Sequence, residues 1–325
     1  MRILVGTIGQ SILATDDDGE HWQRLAPRNG VHSDGIVRTL ASHPADANVL
    51  FAGTDKGILR SDDGGRGWES LGGQLSDRTV WRVAVHPRDN NVLFAGTGTP
   101  SRPAVYRSAD NGSTWDELDV EIALDCDNVG VPRVTDIAID PSAPDSMWVS
   151  IEVDGARHSA DGGRTWTTVD RQAITNPDVH AVVVSPGPPK SVFIVVNNEI
   201  HVSHDDGASW QPVGVRQRFP WRHVRDLVLD PLDPSKAWAT LGDATPGRTG
   251  SLARTTDAGE TWDFVDMPVP PNSAMWVVRM QPDAPKLMLA ASRYGYLYRS
   301  DDAGQTWTKL WRELSEVSSI VWSPN

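Results

Sequence analysis

Short apolar or alternating runs recur along the whole chain, each ending in a polar turn rich in Pro, Gly, Asp or Ser. Runs at 48–53, 91–96, 146–151, 191–196 and 286–291 read as strands. Before each lies a further run closed by a His-Pro, Asp-Pro, Ser-Pro or Gln-Pro step; such steps fall at Pro44, Pro87, Pro141, Pro186, Pro231 and Pro282. After each comes a third run, such as Gly57–Ser61 or Tyr296–Ser300, and a fourth leaves the polar turn at a tryptophan. The pattern predicts sets of four antiparallel strands and no helix.

The polar turn between third and fourth runs is a motif, Ser/Thr-x-Asp-x-Gly-x-x-Trp, written seven times. The first copy is Thr15, Asp17, Gly19 and Trp22, and the last is Ser300, Asp302, Gly304 and Trp307. The seven tryptophans stand 46, 47, 51, 44, 52 and 45 residues apart. A period of about 45 residues is the length of one four-stranded propeller blade. In the motif the Asp accepts hydrogen bonds from its own turn, the Gly permits a positive φ, and the Trp fills space against neighbouring strands. A residue repeated in every unit serves the unit. A binding site needs groups that converge on one place.

The motif resembles the Asp-box, or BNR, repeat, and the resemblance covers the whole chain. Proteins that share it include sialidases, sortilin-type receptors, tandem-propeller xyloglucanases and Ycf48-type photosystem II assembly factors, within the wider group of WD40/YVTN/BNR-like propellers. The similarity implies an all-β, seven-bladed propeller and leaves activity open between enzymes, receptors and assembly factors. Against the sialidase pattern, there are seven boxes, Arg2-Ile3-Leu4 lacks a proline, and Tyr294 alone of the tyrosines lies near the proposed site. A sialidase is therefore not expected.

The ends of the chain suggest how the ring closes. Residues 2–8 look like a second strand without a first, and 317–324 look like a first strand without a second. The expected blades are 2–25 with 317–324, then 35–72, 79–119, 133–170, 178–214, 223–266 and 274–312, in one domain over 1–325. No apolar run approaches the roughly 18 residues of a membrane span, and there is no signal-peptide pattern. Cytoplasmic residence is the expectation, with which the lone Cys126 is compatible. The net charge of −13 and the lack of a basic stripe speak against nucleic acid.

A propeller sorts residues by face, and variation between blades becomes the signal. Aligned on the closing Pro, the residue six before it reads Arg38, Trp81, Thr135, His180, Arg225, Trp276 and Ser318. Two positions later the chain reads Leu40, Val83, Ile137, Val182, Leu227, Val278 and Ile320, which is core. The first set should line the mouth of the central channel, with Arg133, Trp221, Arg222, His223 and Tyr294 from adjoining loops. Guanidinium groups recognise carboxylate or phosphate in a fork, and aromatic faces stack on sugars or hold cations. The expected ligand is a small anion, a glycan or a protein segment carrying an acidic group. The alternative is a glycoside hydrolase or polysaccharide lyase at the same mouth, for which Glu152, Asp154, Asp226 and Glu316 are the candidate carboxylates. No cofactor is expected. No metal site is expected either, since the histidines lack ligand spacing.

Overall fold

The computed structural model describes residues 1–32, 34–187 and 190–324. Among them, seven four-stranded sheets are arranged as blades around a channel, each sheet running from an innermost to an outermost strand. Second strands such as Leu93–Thr97, Val192–Val196 and Met288–Ser292 are buried along their whole length. Each is covered on both faces by neighbouring blades, which is why the sequence there is continuously apolar rather than alternating. Outer strands are two or three residues long and mostly exposed, except Thr308–Glu313 in the last blade. The expectation of no helix needs a small correction: Val215–Arg218 forms one α-helical turn, and Pro27–Asn29 and Gly73–Leu75 are 3-10 turns.

The ring closes as the chain ends suggest. Strand Val317–Ser323 pairs antiparallel with Arg2–Thr7, Ile3 opposite Trp322 and Val5 opposite Ile320. Ile3, Val5, Ile320 and Trp322 then pack with Val277, Leu289 and Ala291 of the last blade in one cluster, so the seam is also a hydrophobic core.

The boxes behave as hairpin staples. In the last copy, the Ser300 hydroxyl donates to Asp302 at 2.7 Å and accepts the Gly304 N–H at 2.9 Å. Asp302 also accepts the Thr306 N–H at 2.8 Å, and the Trp307 indole donates to the Gly304 carbonyl at 3.2 Å. Gly304 has φ +76°, and a Cβ there would meet the Trp238 indole at 2.6 Å, so the position needs glycine twice over. Six box tryptophans make the indole-to-glycine bond. The seventh, Trp210, turns its edge onto Trp148 instead, ring centres 5.9 Å apart.

Trp148, Trp238 and Trp322 are core, as their strand positions imply. Trp311 is not: it stands 61% exposed on the outermost strand of the last blade. That strand has no neighbour beyond it in its sheet, so a regular strand position does not imply burial there.

One irregularity repeats in all seven blades. The ladder between first and second strands skips a residue at Ser318, Arg38, Trp81, Thr135, His180, Arg225 and Trp276. In the sixth blade Val224 faces Leu241 and Leu227 faces Ala239, leaving Arg225 and Asp226 opposite Thr240 alone. A β-bulge releases one residue from the ladder and re-aims its side chain. The diverse alignment position is thus a bulge in every blade.

Candidate functional site

All seven bulge residues line one cavity of about 370 Å³ at the central channel, a size usual for small-molecule sites. They fall into two groups. Ser318 donates to the Val37 carbonyl at 2.6 Å, Thr135 to the Val179 carbonyl at 2.7 Å, and His180 Nδ1 to the Val224 carbonyl at 2.7 Å. Each of these reaches the next blade just before that blade's own bulge, and so ties two inner strands together. Arg38, Trp81, Arg225 and Trp276 tie no strands in this way.

Those four instead build two matching clusters. The Arg38 guanidinium lies 4.0 Å from the Trp81 ring centre, and Arg133 lies 4.4 Å from the same ring. The Arg225 guanidinium lies 4.6 Å from Trp276, and Arg293 lies 4.4 Å from it. Each indole therefore holds two cations. Trp81 is further fixed by its N–H bond to the Thr99 carbonyl at 3.0 Å.

Not every guanidinium at the cavity has a direct carboxylate partner. Arg82 pairs with Asp136 at 2.7 Å, and Arg133 with Glu152, Arg279 with Asp226 and Arg293 with Glu316 are in closer contact. No ion pair reaches Arg38 or Arg225 among the described residues. Six guanidiniums stand against four directly paired carboxylates; Arg38 and Arg225 are offset only at longer range, Arg38 by Asp55 and Arg225 by Glu152, Asp178 and Asp226. Burial, then repulsion from Arg133, pulls both Arg38 and Arg225 down to about 10. Burial, then Arg225 and Arg38, does the same to Arg293. All three stay charged at neutral pH. Arg38 Nε and Arg133 Nε are also buried without an acceptor, an arrangement that costs free energy unless something completes it.

Behind Arg225 lie two neutral histidines. Burial, then Arg225, lowers His180; burial, then His180 and Arg225, lowers His223 to about 3. His223 sits between Asn197 Oδ1 at 3.1 Å and the Thr245 hydroxyl at 2.9 Å, with its ring 5.4 Å from that of His180.

Of the residues singled out in the sequence, Arg38, Trp81, Arg133, His180, Arg225, Trp276, Tyr294, Asp226 and Glu316 line the cavity. His223 and Glu152 stand outside its lining, in contact with it through Trp276 and Arg133. Three expectations need correction. Trp221 packs against Phe264 at 5.3 Å, on the flank of its blade, and Arg222 is exposed outside the cavity. Asp154 is buried between Arg157 and Arg171 and accepts the Ala123 N–H, away from the mouth. The four carboxylates do not face one another as free acids: each is held by arginine. Cys126 lies in a tight turn with Gly130, its thiol pushed up by burial and then Asp154, so no activated nucleophile forms there.

Sequence reasoning passed over Arg82 and Arg279, the partners of Asp136 and Asp226. Arg82 and Asp136 directly follow a bulge residue. A bulge turns consecutive side chains toward the same side, so the residues after Trp81, Thr135 and Arg225 reach the cavity as well, whereas Arg279, three residues past its bulge, carried no such signal.

Fold and site together define an Asp-box propeller of seven blades with a cation- and indole-lined mouth. Comparisons with known proteins agree on the fold. A family model described as Sortilin, neurotensin receptor 3 matches residues 198–324. The oligoxyloglucan reducing-end-specific xyloglucanase of Emericella nidulans is 26% identical over 197 residues, 56% of this chain and 24% of the relative. The xyloglucanase of Hypocrea jecorina is 30% identical over 111 residues, 34% of this chain and 13% of the relative. The chain thus spans a quarter or less of these two relatives' lengths. Among solved structures, the GH74 enzyme of Niastella koreensis superposes with a TM-score of 0.68 at 21% identity, covering 85% of this chain and 45% of that one. Ycf48 of Cyanidioschyzon merolae superposes with a TM-score of 0.60 at 17% identity over 85% of each chain, and a Ycf48 bound to D1 peptide with 0.56 at 17% over 85% and 82%.

Proposed function

We propose that this propeller recognises a glycan carrying an acidic group at its central mouth. The observation that carries the reading is the pair of guanidiniums, Arg38 and Arg225, aimed into the cavity without carboxylate partners and steadied on indole rings. A desolvated guanidinium fork is suited to a carboxylate. The xyloglucanase relatives support carbohydrate as the ligand class. Since Trp81 and Trp276 already hold cations, they orient arginines rather than offer free stacking faces. Tyr294, half-exposed on the rim, is the ring open to a sugar.

Turnover of that glycan is the second reading, which the same relatives favour. The carboxylates available for it are Asp136 and Asp226, both lining the cavity. Burial pushes the Asp136 carboxyl up against the opposing pull of Arg82, with Asp226 adding to the rise. In this reading Asp136 and Asp226 are the two carboxyl groups set across the scissile bond, Asp226 paired with Arg279 and Asp136 with Arg82.

The test is a binding screen of neutral xyloglucan fragments, acidic oligosaccharides and acidic peptides, with reducing ends measured in parallel. Acidic glycans should bind and Arg225→Gln should weaken that binding roughly tenfold or more. Tighter binding of neutral fragments, unaffected by Arg225→Gln, would refute the acidic-group reading. New reducing ends that disappear in Asp136→Asn establish turnover. Preference for peptides would move the ligand to a protein segment.

A further inference from the structure

The two cation clusters repeat each other four blades apart. Arg38 leaves the bulge of the second blade and lies on Trp81 of the third; Arg225 leaves the bulge of the sixth and lies on Trp276 of the seventh. In each cluster a second arginine shares the indole and is neutralised by a glutamate, Arg133 by Glu152 and Arg293 by Glu316. In each, the bulge arginine is left without a carboxylate. The resemblance extends to residue type and charge compensation, with the second arginine and its glutamate exchanging places: Arg133 enters the fourth blade and Glu152 follows that blade's second strand, whereas Arg293 follows the second strand of the seventh blade and Glu316 enters the next. The fold does not demand it, because the three other bulges carry strand-tying side chains instead.

We propose that the mouth binds an acidic oligosaccharide through two of its uronate carboxylates simultaneously, one on Arg38 and one on Arg225. A single carboxylate leaves one of the two arginines without a direct partner, and a ligand with two gives each its own. Arg38 Nε, buried and without an acceptor, is a donor that such a ligand supplies with a partner. The second contact is intramolecular once the first has formed, so affinity should rise with chain length until the carboxylate spacing matches, then level off. This inference rests on the acidic-glycan reading above.

The experiment is calorimetric titration of the full chain with galacturonate and its oligomers from two to six units. Monogalacturonate should bind at two equivalents, falling to one in Arg38→Gln and in Arg225→Gln. The best oligomer should bind at one equivalent, at least tenfold tighter than the monomer. Either substitution should weaken that oligomer roughly tenfold to a hundredfold, the loss of one charge-assisted contact. Neither breaks an ion pair, and unchanged thermal unfolding would show that both variants fold. A flat affinity ladder, or dependence on one arginine alone, overturns two-point binding while leaving an acidic ligand in place. No uronate binding at any length, with neutral fragments bound, removes both readings.

Discussion

Replacing Trp322 by Ala tests the ring closure against a control of the same residue type. Trp322 is 1% exposed in the core shared by the first and last blades, and Trp311, on the outer strand of the last blade, is 61% exposed. Truncating a buried large aromatic costs about 3–5 kcal/mol, from lost transfer energy and the cavity left behind. The Trp322 indole N–H is buried without an acceptor, so its removal returns part of that cost and places the expectation near 3 kcal/mol. That is a large share of a typical domain stability of about 5–15 kcal/mol. With a urea slope of about 3 kcal/mol per M for a large single transition, the midpoint should drop by roughly 1 M. Trp311→Ala should stay within about 0.5 kcal/mol of the parent. Equilibrium urea unfolding, followed by fluorescence and by circular dichroism, reads both. Equal midpoint shifts in the two variants would show that the seam contributes no more than an exposed edge, and the closure argument would fail.

Three further outcomes follow from charge and pH. Arg133→Ala strands Glu152 and should cost about 2 kcal/mol, whereas Arg38→Ala breaks no ion pair, relieves repulsion with Arg133 and should leave thermal stability within about 1 kcal/mol of the parent; the reverse order would show that Arg38 has a structural partner. His223 is held neutral down to about 3, against 6.5 when unfolded, so its stabilisation is complete above pH 6.5 and is lost as pH falls toward 3, at up to about 1.4 kcal/mol per pH unit. His223→Gln should flatten the stability profile between pH 6.5 and 4, and an unchanged slope would count against a buried neutral imidazole. The box carboxylates come next: hydrogen bonds from Thr306 hold Asp302 at about 2 against 3.8 unfolded, so the support it gives persists above pH 4 and fades on the way to 2. Acid titration of Asp302→Asn should show a shallower loss across that window, and a profile identical to the parent would remove the box from the acid transition.

The fold was legible because its determinants are local and repeated. Box, strand and Pro-turn recur in register, so seven copies averaged out the ambiguity of any one. The mouth was half legible. Alignment found the position that differs between blades, since bulge residues are exempt from the packing that makes Leu40, Val83 and Ile137 alike. It could not show that Arg133 is neutralised by Glu152 while Arg225 is not, because that depends on which loop ends meet in space. Trp221 was misjudged for a related reason. The turn Val215–Arg218 redirects the chain before the inner strand, so nearness in sequence to Arg225 carries Trp221 to the blade's flank and not to the channel.

The seven bulges separate what the ring must conserve from what it is free to vary. A side chain outside the ladder can change without breaking any strand pairing, and the choice is restricted by the inter-strand ties of Ser318, Thr135 and His180 and by the Trp81 bond to Thr99. The channel thus carries a seven-letter word, Ser-Arg-Trp-Thr-His-Arg-Trp, written on a frame indifferent to most of its letters. Specificity in such a ring can drift one letter at a time, and a designer could rewrite the four Arg and Trp letters while leaving every hydrogen-bonded pair of the sheets untouched.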